Sequence, residues 1–349
     1  MKISIVIPCY KAEKFISDII HDVLAQTFVD YELIIVSNGI GRYAQENIVK
    51  RIIEQFPDKI IRLISTDEGG VSKARNKGIE QAQGDFITFL DADDRIEPNY
   101  LSILFNGVKE SDIVIGGYTQ YFEKEDRLQD WSIDTDMYSQ LQKDWLFQLG
   151  WNVFAPPYAK LYSKKILMDT NVRFDEDLSY MEDGIFNLRL FLKNPRNIHF
   201  VRQTGYRYIC RDNMSAISIY HPNLKKAWEV RSQLILEFHK TLFPEKSREK
   251  LKNGYVYLTA YESLQNIFKQ GNPYSFKEKR REVKKLLFED ETTKTVLLNN
   301  SPNDRLNYII FNKLYSTRSP LILTSAYCCM HFFRQRFSFL YYKVKPLFN

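Results

Sequence analysis

Asp85-Phe86-Ile87-Thr88-Phe89-Leu90-Asp91-Ala92-Asp93-Asp94 decides the fold. Its first half is an apolar run of strand length, and its second half sets carboxylates directly beyond that strand. Upstream, Ser72 to Gln83 carries a helical pattern that Gly84 closes. The same alternation continues back to the start of the chain. Ile3 to Ile7 is an apolar run ended by Pro8, and from Ala12 to Leu24 one helical stripe holds Phe15, Ile16, Ile19, Ile20, Val23 and Leu24. Glu32 to Val36 reads as a second strand, Tyr43 to Gln55 as a helix and Ile60 to Ile64 as a third strand. Strands separated by helices are βαβ units, so the expected class is α/β, a mostly parallel sheet flanked by helices.

In open sheets of this kind ligands sit beyond the carboxyl ends of the strands. Four segments occupy those ends: Pro8-Cys9-Tyr10, Ser37-Asn38-Gly39, Thr66-Asp67-Glu68 and Asp91-Ala92-Asp93-Asp94. They are expected to converge. Asp91 and Asp93, one residue apart, suit a hard divalent cation bridging them to phosphate, although a solvated turn also uses Asp. Gly69-Gly70-Val71-Ser72-Lys73-Ala74-Arg75 reads as a glycine-bearing helix start whose N–H groups and cations favour an anion, or equally as a capped surface helix.

Composition narrows the class. The 349 residues are 44% hydrophobic, 26% charged and 14% aromatic, which excludes disordered, collagen-like and coiled-coil chains. The four cysteines form no C-x-x-C pair and are expected to be reduced. No signal peptide is expected at the start, and no apolar run reaches the roughly 18 residues of a spanning helix. The net charge of +6 hides an asymmetry of about −5 over residues 1–230 and about +11 over 231–349. A basic half points to an anionic partner. From Lys225 onward the pattern is helical, giving an expected division into 1–224 and a helical, basic 225–349.

The runs Ile5-Val6-Ile7-Pro8-Cys9-Tyr10, Gly70 to Gly78 and Phe89-Leu90-Asp91-Ala92-Asp93-Asp94 resemble the family 2 glycosyltransferases in type, order and spacing. Lys160-Leu161-Tyr162 and Glu182-Asp183 extend the resemblance, which covers roughly residues 1 to 220. It implies a GT-A (Rossmann-like) fold, a nucleotide-diphospho-sugar donor and inversion at the anomeric carbon. Asp183 matches the family's general base, and Asp93 the metal ligand, with Asp91 near the ribose and metal and Ala92 between them. Pro8, Tyr10 and Glu13 are expected to line the nucleoside. Ser72 and Arg75 are placed at the base or diphosphate, and Arg211 is a phosphate contact. The implied cofactor is Mn²⁺ or Mg²⁺. His221 is a further candidate metal ligand or a structural histidine.

One position departs from the family. Two acidic residues usually follow the second strand, the second reading uracil, where this chain has Ser37-Asn38. An asparagine offers both an acceptor and a donor, so pairing with uracil stays open and UDP is the expected nucleotide. The same change motivates a rival, a catalytically inactive glycan- or nucleotide-binding subunit. A nicotinamide enzyme is disfavoured because no G-x-G-x-x-G follows the first strand.

Donor-sugar choice is expected around Trp151, Asn152 and Pro156-Pro157. The expected acceptor is a glycan or lipid-linked saccharide. Pro320 to Phe333 is apolar and leads into Arg334, Arg336, Lys343 and Lys345 mixed with Phe337, Phe339, Leu340, Tyr341 and Tyr342. That mixture suits peripheral contact with a membrane, the alternative being a C-terminal helix packed on the catalytic domain, and nothing resembling a base-reading nucleic-acid module supports a third reading. A cytoplasmic enzyme at the inner face of the cell membrane accounts for both halves.

Overall fold

The computed structural model describes residues 2–108, 111–134, 150–193, 198–211, 219–240, 245–299 and 306–336. The chain divides into two compact units, Met1–Asn213 and Met214–Asn349, upstream of the 224/225 division expected from the sequence. The first unit opens β1 (Ile3–Cys9), α1 (Ile16–Leu24), β2 (Tyr31–Asn38), α2 (Tyr43–Gln55), β3 (Ile61–Thr66), α3 (Val71–Gln81) and β4 (Phe86–Phe89). There follow β5 (Arg95–Ile96), α4 (Tyr100–Asn106), β6 (Ile113–Gly116), β7 (Tyr118–Phe122), β8 (Arg127–Trp131) and α5 (Trp151–Phe154). It closes with β9 (Lys160–Ser163), α6 (Lys164–Thr170), α7 (Glu182–Leu192), β10 (Ile198–Val201) and β11 (Tyr206–Cys210).

β1 and β2 are buried at every position, as strands covered on both faces must be. The main sheet has the order β10-β6-β9-β4-β1-β2-β3, parallel except for β9. β1 lies against β2 with Ile3 opposite Tyr31 and Cys9 opposite Ser37, and β2 carries Asn38 opposite Thr66 of β3. Strand ends from β1, β2, β3 and β4 therefore share one edge, as expected. A second sheet, β5-β11-β7-β8, adjoins the carboxylate loop after β4.

Several boundaries differ from the sequence reading, and two of them have a clear physical cause. β1 runs through Pro8 instead of stopping before it. Lys2 and Val6 accept from Phe86 and Leu90, so the even residues of β1 face β4. β4 pairs only as far as Val6, so the N–H that Pro8 lacks falls beyond that ladder. α1 begins at Ile16, not Ala12, because Lys11 is left-handed (φ 51°) and the Ala12 N–H donates to Gln45 Oε1 at 3.0 Å.

Helix α3 packs tightly on β1. A Cβ on Gly78 would lie 2.2 Å from Val6, so glycine sets the depth at which the N-terminus of α3 meets the strand ends. Beneath that edge Phe89, Tyr162, Phe174 and Phe186 form an aromatic core, with Phe174 and Phe186 stacked at 4.0 Å.

The second unit comprises α8 (Leu224–Lys240), α9 (Glu245–Ile267), α10 (Phe276–Lys284), a π turn over Lys285–Glu289, α11 (Glu291–Asn299), α12 (Leu306–Ser316) and α13 (Pro320–Arg336). Ser275 and Glu278 cap α10 reciprocally. α13 packs into this unit's own core through Leu323 and Tyr327, the latter against Phe268 at 5.4 Å. Residues 337–349, with most of the basic-aromatic tail, lie outside the described residues. Among the described residues no helix is long and apolar enough to cross a membrane, and the four cysteines are unpaired.

Candidate active site

The β1 end presents Tyr10, 53% exposed, whose ring closes on Gly39. A Cβ there would lie 2.8 Å from Tyr10 Cε2, and Gly39 has φ 82°, so glycine is required on both counts. Pro8 is buried in the strand, and Glu13 is exposed in the turn before α1. Burial, then Glu13 and Glu46, pushes the Cys9 thiol up to about 12, so Cys9 is an inert neighbour. Gln45 of α2 ties these strand ends together, donating to Cys9 O and to Ser37 Oγ, each at 2.8 Å. Nothing in the sequence marks Gln45 for that task.

Asn38 is 1% exposed. Its Nδ2 donates to Gly70 O at 3.0 Å, while its Oδ1 is buried with no hydrogen-bond partner. Gly70 (φ 118°) opens α3, placing Ser72 in the first turn, and Ser72 Oγ is likewise buried and unpartnered. Arg75 follows one turn later, 4% exposed. Its Nη2 donates to Asp91 Oδ1 at 2.9 Å and its Nη1 pairs with Glu182 Oε1 at 3.4 Å, while its Nε has no partner. Phe174 stacks under the guanidinium at 5.3 Å, and Asn76 fixes that loop by exchanging bonds with Phe174 N and O at 2.9 Å. Buried polar atoms are normally paired. Three open ones lie along one helix start and one strand end, where a polar ligand would complete them.

The carboxylates after β4 do different jobs. Asp91 serves Arg75, and Ala92 is buried. Asp94, 1% exposed, accepts from Tyr206 Oη at 2.5 Å and from Ile209 N at 2.8 Å, anchoring the loop to β11. Asp93 points outward, its side chain 54% exposed, and pairs with Arg211 at 3.4 Å. Arg211 also donates to Asp93 O at 2.6 Å and lies over Phe15 at 4.2 Å, so its place is beside the carboxylate loop. Burial, then Asp91, raises the Asp93 carboxyl above its usual range, and Arg211 opposes them. Two carboxylates one residue apart suit a hard dication. Among the described residues no group of three or more His, Cys, Asp and Glu could hold a metal ion. His221 is buried in the second unit, where its backbone exchanges bonds with Asn266 at 3.0 and 2.7 Å.

Asp183 stands in the first turn of α7, after Met181 in a left-handed conformation (φ 64°). Such strain concentrates at functional sites. Its Oδ1 accepts from Gly184 N at 2.6 Å. Burial and then Glu182 push its carboxyl up to about 7, with Arg75 pulling the other way. Arg75 thus links the base candidate to the carboxylate loop, a role the sequence motifs did not give to Glu182.

The glycosyl transferase family 2 pattern matches residues 4–170. The glycosyltransferase EpsJ of Bacillus subtilis (strain 168) is 30% identical over 252 residues, covering 68% of this chain and 69% of that one. The poly(ribitol-phosphate) beta-N-acetylglucosaminyltransferase TarS of Staphylococcus aureus is 22% identical over 289 residues, 81% of this chain but 47% of its own length. The crystal structure of S. aureus TarS 1–349 in complex with UDP-GlcNAc shares the fold, with TM-score 0.60 at 19% identity over 96% of this chain and 92% of that one. With the strand-end motifs gathered in the order that the family carries them, the chain belongs to the family 2 glycosyltransferases.

Proposed function

We propose that this enzyme is an inverting glycosyltransferase that moves a sugar from a UDP-sugar to a hydroxyl of a surface glycan or lipid-linked saccharide, with Asp183 as general base. The observation that carries the reading is Arg75, whose two ion pairs set Asp183's turn beside the carboxylate loop. In this reading Asn38 meets the nucleobase, Arg75 the diphosphate and Asp183 the reacting hydroxyl.

One of the two Asn38 Nδ2 hydrogens is used on Gly70 O while Oδ1 is open, so Asn38 offers an acceptor, the hydrogen-bonding sense of the family's usual aspartate. That acceptor suits a ring N–H such as uracil's. The open Ser72 Oγ and Arg75 Nε are available to the rest of the donor. Asp93, with Asp91, would hold Mn²⁺ or Mg²⁺, which neutralises charge on a departing diphosphate. Asp183 takes the proton of the acceptor hydroxyl as its oxygen bonds to the anomeric carbon, and the electron pair of the breaking C–O bond leaves with the diphosphate. One displacement inverts the centre. A carboxyl raised to about 7 is matched to proton transfer near neutral pH.

The second unit suits a surface of anionic lipid. α10 exposes Lys277, Arg280, Arg281 and Lys284, and α13, packed against α10, exposes Leu321 and Ile322 at 47% and Met330 at 41%. Cations beside apolar side chains, in the half of charge about +11, match that surface. Salt-sensitive flotation with anionic vesicles alone supports this placement, and no flotation with them refutes it.

The donor reading is tested by nucleoside diphosphate release from UDP-, GDP- and dTDP-sugars, with acceptor saccharides supplied, in Mn²⁺ and in EDTA. Metal-dependent release from one UDP-sugar, lost in Asp93→Ala, is expected. Release from a GDP- or dTDP-sugar alone overturns the nucleotide assignment, and full activity in EDTA overturns the metal.

A further inference from the structure

Helix α5 is a single turn, and its C-terminal carbonyls have no partner within the helix. Two side chains cover this stretch of backbone. Lys160 Nζ donates to Val153 O at 2.7 Å and to Pro156 O at 2.6 Å. Asn187 Nδ2 donates to Phe154 O at 3.0 Å and Ala155 O at 2.9 Å, and Asn187 Oδ1 accepts from Tyr162 Oη at 2.9 Å. Lys160 is 1% exposed and Asn187 is fully buried.

A fully buried ammonium is an expensive way to cover two carbonyls. Burial lowers the Lys160 amine to about 7, and the charge that opposes the shift is that of Asp183. The other end of the same segment reaches the residue next to Asp183, Gly184. Trp151 closes so tightly on Gly184 that a Cβ there would lie 2.4 Å from Cζ2 and 2.7 Å from Cη2. Gly184 is the residue whose N–H binds Asp183.

We propose that Lys160 is a positioning residue for glycosyl transfer, which with Asn187 clamps residues 151–156 so that Trp151 rests on the turn carrying Asp183. The proposal rests on Asp183 as base. The charged groups facing that carboxyl are Glu182, Arg75 and Asp91, together with Lys160 from β9. Lys160 in its protonated form supplies positive charge toward that carboxyl, and Trp151 covers the adjoining Gly184.

The test uses Lys160→Met, Trp151→Ala and the double variant, with kcat, donor KM, melting temperature and the pH profile of kcat/KM. Lys160→Met is expected to lower kcat roughly ten- to a hundred-fold with donor KM nearly unchanged. Its acidic limb moves to higher pH, because Asp183 ionises less readily without the cation. Trp151→Ala lowers kcat comparably but moves that limb to lower pH, because water reaches the carboxyl. The double variant has a kcat no lower than the worse single variant. A Lys160→Met enzyme with normal kcat and pH profile and only a lower melting temperature overturns the proposal, as do kcat losses that multiply. If Lys160→Met does not fold, Asn187→Ala paired with Trp151→Ala decides by the same rule of non-additivity. Asp183→Asn separates the two failures. Retained turnover there removes the base and the pH arm, and the kcat coupling of Lys160 and Trp151 then decides the clamp alone.

Discussion

The two ends of the main sheet use the same kinds of polar side chain in opposite ways. At the amino end of β2, Glu32 is fully buried and fully satisfied. Its Oε1 accepts from Ser4 Oγ at 2.7 Å and from Gln83 N at 2.6 Å, and its Oε2 accepts from Arg62 Nη1 at 3.1 Å. At the carboxyl end, Asn38 Oδ1, Ser72 Oγ and Arg75 Nε are buried and open. A satisfied buried network rigidifies a fold, whereas an open one is costly unless something else completes it. The first end is structure, and the second is kept for a ligand.

Mutations at the two ends should separate accordingly. Of the changes at these two ends, Arg75→Met is expected to have the largest effect, because it strips Asp91 and Glu182 of their counter-ion. Turnover should fall at least about a hundred-fold, and urea unfolding should show a loss of about 3 kcal/mol. Glu32→Ala, at the satisfied end, is expected to cost about 3 kcal/mol in the same unfolding experiment while leaving kcat of the folded enzyme unchanged. A kcat loss in that variant would break the distinction between the ends. Asn38→Ala should raise donor KM about ten-fold and also cost about 1 kcal/mol of stability, since it removes the Nδ2 bond to Gly70 O together with the open Oδ1. Steady-state kinetics over a range of UDP-sugar concentrations check this.

The smallest effect is in pH. Folding raises the Asp183 carboxyl from 3.8 to about 7, so the folded state binds its proton more tightly than the unfolded chain. Asp183 therefore withdraws stability as pH rises from about 4 to about 7, while the fraction of active base grows. kcat/KM should climb through about pH 7 to a plateau, and a flat profile from pH 5 to 8 would remove Asp183 as the titrating group.

Much of the site was legible because its chemistry follows strands. The helix over Tyr43–Gln55 lies at the bounds its periodicity predicts, and the strand-end carboxylates stand where the βαβ reading puts them. Long-range hydrogen bonds were not legible. Gln45 delays the start of α1 and ties three backbone segments from a helix with an ordinary pattern. Asn38 announces an amide but not which half of it is spent, and only Gly70 decides that. Lys160-Leu161-Tyr162 was visible as part of a motif, whereas the clamp depends on carbonyls that no side-chain pattern reveals.

The central claim is that Asp183 takes the proton of the acceptor hydroxyl within a donor site built on these strand ends. Turnover of Asp183→Asn, measured beside calorimetric affinity for the UDP-sugar, tests it most directly. The account predicts a turnover loss of about a thousand-fold with donor affinity intact. Near-normal turnover with normal donor binding would contradict it.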